Sequence, residues 1–402
     1  MVFLGGLGVF FSGPGQTYSV SVFIDSYIAE FGWSRSFVSG LYSGGTVAAG
    51  FLLFFIGRLI DRLGHRKMIP LVAGILALSC IWMSLVFHPL MLFLGFFLVR
   101  LFGQGSMTLV SNTLIPQWFE RKRGRALSFT VLGGVISSAL LPPLNSWIIH
   151  NYGWRLGWQV WAVLLLLIMV PLAALLVRNR PEDIGQLTDG DPRSKKDNPV
   201  TRENETKSLT LVEARKTRTF WLLLFCVFVP AMVNTGLTFH HVSILGQRGI
   251  DPLLAASILG LQALFALPFN FIAGYLLDRW PPRYILMGTF IGQVLSMLWI
   301  ALIVGPVTVV FYGVLRGMVQ GFERMSINVI WPAYYGRKHL GSIQGSAMTF
   351  MVIGSAFGPL PFGIWYDQLA SYRGVIVLMM AFSVLAAIAS HQARPPLQEG
   401  SE

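Results

Sequence analysis

Twelve times along this chain the sequence runs for about 20 residues with hardly a charge: at 2–25, 37–57, 68–88, 90–117, 126–149, 157–177, 219–245, 253–276, 284–304, 307–333, 342–365 and 373–391. A helix of that length crosses the ~30 Å hydrocarbon core of a bilayer. Lipid offers no partner to backbone N–H and C=O groups, so a spanning segment must satisfy them itself, as a helix or in a closed barrel. The runs are continuously apolar rather than alternating, which selects helices. Only 12% of the 402 residues are charged and 54% are hydrophobic, against about 25% charge in soluble domains. The first run continues past the apolar length of a signal peptide and is read as a span. The expectation is an all-α, polytopic membrane protein. Cys80 and Cys226 both fall in apolar runs, as small buried hydrophobes rather than a disulfide or metal framework.

A net charge of +12 could point to nucleic acid, but its distribution points elsewhere. With the N-terminus in the cytoplasm, 23 of the 30 Lys and Arg fall in inner loops and 4 in outer loops (Arg35, Arg155, Arg248 and Arg373). Without the long central loop the count is still 13 against 4. The positive-inside rule then sets both termini in the cytoplasm. Basicity reports topology and contact with membrane lipid, and no nucleic-acid partner is expected.

The polar stretch 178–218 divides the spans six and six, giving halves at 1–177 and 219–392, a linker between them and a tail at 393–402. Within the linker, Thr210 to Glu213 fits a capping box that starts an amphipathic helix running into the seventh span. The halves repeat one another. At an offset of 216 residues Arg100, Gln104, Gly105, Asn112, Pro116 and Pro143 match Arg316, Gln320, Gly321, Asn328, Pro332 and Pro359. At an offset of 217, Gly57, Asp61 and Arg62 match Gly274, Asp278 and Arg279. An even number of spans per half makes this a parallel repeat, an arrangement of many secondary transporters.

Between spans two and three, "GRLIDRLGHRK" (57–67) resembles the signature loop of the major facilitator superfamily, with Gly57, Asp61, Arg62, Gly64, Arg66 and Lys67 in place. The second copy keeps Gly274, Asp278, Arg279 and Arg283, with Pro281-Pro282 near the second Gly. The resemblance implies two parallel six-helix repeats and a cytoplasmic gate at Gly57, Asp61, Arg62, Gly64, Arg66, Asp278 and Arg279. It also implies that spans one, four, seven and ten line a central path while three, six, nine and twelve face lipid. "RPEDIG" (180–185) and "EARKTRTFW" (213–221) resemble the bacterial monocarboxylate and oxalate–formate porter branch, which implies small organic anions. There is one departure. Carboxylate porters of that branch carry an Arg in span eight, where this chain offers Gln262 and Asn270, and span eleven lacks the Lys of the oxalate–formate type.

Ionisable groups inside a membrane are expensive, about 2.5–3.5 kcal/mol each on insertion scales, and usually face a cavity or a partner. The candidates are concentrated in four spans. Span one has Gly13-Pro14-Gly15 followed by Gln16, Thr17 and Tyr18; a broken helix frees carbonyls, a device of transporter sites. Span four has Arg100 and Gln104, and span seven has the adjacent His240 and His241. Span ten sets Arg316, Gln320 and Glu323 on one stripe, with Arg324 turned away by about 100°. Glu323 lies between burial, which favours the neutral acid, and arginines, which favour the anion, so it is a candidate proton carrier. Without nearby cysteines or carboxylates the two histidines give no metal site, and no cofactor is expected.

Taken with the resemblance, these residues lead to the expectation of a secondary active transporter: a monomer in a bacterial inner membrane that moves a small organic anion by alternating access, as symport or antiport with protons. Efflux of amphipathic drugs or lipopeptides is the alternative, and a membrane sensor stands behind it. An enzyme lacks a nucleophile or paired acids beside the histidines, and an ATP-driven pump lacks the Gly-x-x-x-x-Gly-Lys motif.

Overall fold

The computed structural model describes residues 1–119, 123–185, 209–277, 279–335 and 340–396, and these are helical with no strand among them. They divide into two compact units: Met1–Trp33 with Gly40–Thr201, and Ser34–Ser39 with Arg202–Glu402.

The first unit holds spans one to six, apart from the first residues of span two. Span one is a chain of short helices, Val2–Phe11, Gly13–Gly15, Thr17–Val20 and Ser21–Phe23, from which Ile24–Phe31 carries on into the connection. Spans two and three are Arg35–Leu63 and His65–Ser84. Span four is α-helical over Pro89–Val99 and Thr108–Trp118, with a π-helical stretch, Arg100–Met107, between. Spans five and six are Arg123–Tyr152 and 154–176. Lipid tails supply no drive to push helices together, so packing and buried polar contacts must. Phe23 stacks on Trp158 at 4.5 Å between centroids. The buried Asn145 accepts from Trp161 Nε1 at 2.7 Å and donates to Ser19 Oγ at 2.9 Å, which answers three polar groups far from water.

The second unit holds span seven (Arg218–Phe239, continued by His241–Gly246), span eight (Pro252–Leu277), span nine (Pro282–Ile300), span ten (Pro306–Tyr335), span eleven (Leu340–Phe357 and Pro359–Leu369) and span twelve (Arg373–Gln392). Spans eight and ten touch backbone to backbone, because Gly317 and Gly321 of span ten leave room for the carbonyls of Gln262 and Ala266. The expected capping box is present: Thr210 Oγ1 accepts from Glu213 N–H while the Glu213 carboxylate accepts from Thr210 N–H. The helix it starts is shorter than expected. It stops at Lys216, because Thr217 is extended and its hydroxyl caps span seven through Phe220 N–H. Residues 186–208 of the linker and 397–402 of the tail lie outside the described residues.

Among the described residues, ten of the twelve spans are long and apolar enough to cross a membrane by length and composition alone. The two that miss that mark are the first, interrupted near Gly13, and the tenth, which holds Arg316, Glu323 and Arg324. Large apolar side chains are exposed on spans three (Leu71, Leu78), six (Leu167, Leu175), nine (Ile291, Leu295) and twelve (Val377, Leu385). A bilayer would cover them.

Candidate functional site

In the first unit the polar candidates close around the break in span one. Gly13–Gly15 form one 3₁₀ turn, Gln16 is extended (φ −80°, ψ 149°), and the helix restarts at Thr17. The break passes so near span four that a Cβ on Gly15 would strike the Val99 carbonyl and the Gly103 backbone. Arg100 then takes the freed acceptor: its NH1 donates to Gly15 O and to Thr17 Oγ1, both at 3.2 Å, and its Nε donates to Thr46 Oγ1 at 3.2 Å. The guanidinium also lies over the Tyr42 ring, 5.1 Å from its centroid. Arg100 is 3% exposed, and neutral oxygens from spans one and two serve it. Gln16 Nε2 donates to Ser12 Oγ at 3.1 Å and Thr108 Oγ1 at 3.4 Å, and Tyr18 OH donates to Ser137 Oγ at 2.9 Å. Gln104 is partly buried on the π-helical stretch, its backbone against Gly15.

The second unit treats the repeated arginine differently. Arg316 is 1% exposed, and NH2 makes its one side-chain hydrogen bond, to Asn234 Oδ1 at 2.9 Å. Its Nε and NH1 meet no acceptor on the protein. Asn234 turns its Nδ2 to Glu323 and reaches both carboxylate oxygens at 3.0 Å. Gln293 Nε2 donates to the same Asn234 oxygen at 3.3 Å, and Ser383 Oγ steadies Gln293 Oε1 at 3.2 Å. Among the described residues no ion pair joins Glu323 to an arginine. The opposite charges on span ten are therefore linked through a neutral amide from span seven. Gln320 Nε2 donates to Gln262 Oε1 at 3.4 Å, and Arg324 is exposed, about 100° round the helix from Glu323.

The two histidines stand apart from this network. His240 Nε2 contacts Pro359 O at 3.0 Å and the ring stacks on Phe362. His241 Nε2 contacts Ala255 O at 3.0 Å and stacks on Tyr312. Both are buried and packed. Near the signature loop, Gly64 has φ +73° and the Asn179 side chain fills the space beside it, with Asn179 Oδ1 accepting from Arg66 N–H at 2.9 Å. Arg62 and Arg279 are exposed, Arg279 over the Tyr275 ring. Asp278 lies outside the described residues, as does the side chain of Asp61.

Asn234 and Gln293 were not among the sequence candidates. One signal could have found the first: Asn234 stands 217 residues after Thr17, the offset that relates Gly57 to Gly274. Each repeated arginine reaches the residue at that position of the first span of its half.

The chain matches the sequence profile of the Major Facilitator Superfamily over residues 5–359 and again over 241–401. It belongs to that superfamily. Its members are transporters rather than enzymes, and this chain is a multi-pass membrane transporter of small molecules. It is similar to the glucose transporter GlcP of Staphylococcus epidermidis (22% identical, covering 87% of this chain and 83% of that protein). It is also similar to monocarboxylate transporter 13 of Rattus norvegicus (26% identical, 92% and 82% covered). In fold it resembles a bacterial homologue of the human lysosomal transporter Spinster, solved inward-facing and occupied, with a TM-score of 0.76, 16% identity and coverage of 99% and 97%.

Proposed function

We propose that this superfamily member is a proton-coupled carrier of a small organic anion, with Arg316 holding the anion and Glu323 carrying the proton. One observation supports the solute's charge above the others. A guanidinium that is 1% exposed has two of its three nitrogens without an acceptor and no carboxylate within ion-pair reach. A buried charge left in that state costs several kcal/mol, and an anionic solute would supply both the missing acceptors and the missing charge. Arg100 carries no such surplus, so Arg316 is assigned the solute and Arg100 the scaffold. A relative named for monocarboxylates is consistent with an organic acid, whereas one named for glucose is not specific on charge. The carrier works by alternating access in a bacterial inner membrane, as a monomer with both termini cytoplasmic, the orientation that the loop charges favour.

The experiment is flux in proteoliposomes with an imposed proton gradient, using a panel of organic acids, sugars and hydrophobic cations. The reading expects an acid to be moved, faster with the gradient than without it. Glu323→Gln should move the same acid at equal rates with and without the gradient, and Arg316→Gln should not hold it. Movement of hydrophobic cations alone would instead identify amphipathic efflux and overturn the assignment of Arg316.

A further inference from the structure

Asn234 sits between the two functions just assigned. Its Nδ2 donates to both oxygens of Glu323 at 3.0 Å, and its Oδ1 receives Arg316 NH2 at 2.9 Å. This orientation follows from the chemistry: an ionised carboxylate can only accept and a guanidinium can only donate. We propose that Asn234 is the positioning residue that links the charge on Glu323 to the availability of Arg316, so that protonation of the acid releases the guanidinium to an anion. The proposal rests on the reading of Glu323 as the proton carrier.

The link works through the amide's two ends. With Glu323 ionised, two hydrogen bonds hold Nδ2 toward the acid and so fix Oδ1 toward Arg316. When a proton is added to one carboxylate oxygen, that oxygen becomes a donor and needs an acceptor. Asn234 Oδ1 can serve as that acceptor once the amide is rotated end for end. Nδ2 then faces Arg316 NH2, donor against donor, and Arg316 loses its one side-chain partner. Proton and anion are thereby favoured together. Gln293 Nε2, which shares Oδ1 at 3.3 Å, also meets Nδ2 donor against donor after the rotation, so the protonated acid must turn the amide against this bond or with Gln293 turning its own amide in step.

The surrounding charges leave this path little competition. On span ten itself the ionisable neighbours of Glu323 and Arg316 are the buried Tyr312, one turn before Arg316, and the exposed Arg324. Span eight, Pro252–Leu277, carries no charged residue or histidine, and neither does span eleven from Leu340 to Phe357. Span nine has Arg283 near its first turn, and span seven has His240 and His241 beyond Asn234, each on a backbone carbonyl of another span.

The test reads Arg316 directly and needs no solute. Infrared difference spectra between acid and alkaline buffer are recorded on the full chain in lipid films. The carboxyl carbonyl band missing in Glu323→Gln is assigned to Glu323, and the isotope-labelled guanidinium band missing in Arg316→Lys is assigned to Arg316. In the wild type, the Arg316 band should shift over the same pH interval in which the Glu323 band appears. Asn234→Ala should keep the Glu323 band and lose the Arg316 shift, with Asn234→Ser as a second variant. Gln293→Ala, which loosens the same cluster, should retain the shift. A wild-type Arg316 band that ignores Glu323, or one that still follows it without Asn234, overturns the proposal. Flux keeps the two readings apart. Gradient-driven transport that survives Glu323→Gln defeats proton coupling itself, whereas coupled transport with an unresponsive Arg316 band defeats only the part given to Asn234.

Discussion

The two arginines related by the repeat should respond in opposite directions to one substitution, methionine, which keeps much of the length and removes the charge. Arg316→Met deletes one charge-assisted hydrogen bond, to Asn234 Oδ1, worth about 1.5–3 kcal/mol. It also deletes two buried groups without acceptors, Nε and NH1, each costing about 1–3 kcal/mol or more. Asn234 Oδ1 still receives Gln293 Nε2, so no new orphan is left there. The balance favours the variant by about 2 kcal/mol, within the range of about 1–4 kcal/mol seen when buried ionic groups give way to packed apolar ones. Arg100→Met removes three hydrogen bonds and the contact over Tyr42 and leaves the Gly15 carbonyl unanswered at a helix break, so it should cost at least about 2 kcal/mol. SDS-driven unfolding in mixed micelles, followed by tryptophan fluorescence, compares both variants with wild type. Arg316→Met should be the more stable protein and an inactive one. If it unfolds earlier than wild type, by an amount similar to Arg100→Met, Arg316 is a structural residue like its counterpart and the assignment of the solute to it is wrong.

Other outcomes follow from single contacts. Gly103→Ala should destabilise the protein by about 1–3 kcal/mol, since its Cβ would press on the Gly15 backbone; Gly74→Ala, in open space on span three, should be neutral or gain up to about 1 kcal/mol. A Gly103→Ala protein as stable as wild type would show that the crossing of spans one and four is looser than described. The Arg155 guanidinium holds the Glu30 carboxyl below its ordinary pKa, with partial burial opposing and the Trp154 indole assisting. A depressed carboxyl stabilises above its unfolded pKa and stops doing so as pH falls through the folded one. Glu30→Gln should therefore cost no more than about 1 kcal/mol at pH 7, the pair being well exposed, and nothing once the acid is protonated; a melting difference that widens on acidification would contradict this. Gly64→Ala should cost about 1–2 kcal/mol, because its φ of +73° suits glycine and Asn179 already occupies the space. Asn179→Ala should relieve the crowding but not the backbone strain, and full rescue in the double variant would refute that division.

The spans were legible because length and hydropathy are collective properties of 20 residues, and the repeat was legible because it preserves unusual residues such as Arg100 and Arg316 at one spacing. The break at Gly13–Gln16 was also plain from its Gly-Pro-Gly. What Arg100 does with that break was not, because Thr46 and Gly15 come from other spans and no local pattern announces them. The π-helical stretch at Arg100–Met107 was likewise invisible. Asn234 escaped because a single amide in an apolar helix has no charge to draw attention, although it holds two charges apart. His240 and His241 drew attention by their type, and the carbonyls of Pro359 and Ala255 that hold them are supplied from outside their own helix.

Span one is broken beside Arg100, whereas span seven continues as α-helix through Asn234 to Phe239. A gene duplication that left one copy of the arginine bracing a fracture and the other with nothing to brace would leave the two halves unequally open to change. Saturation libraries at positions 15, 100 and 103 should return mostly unfolded protein. Libraries at 234, 316, 320 and 323 should return folded carriers with new solute preferences, so that new substrates can be acquired through the second half while the first stays constant.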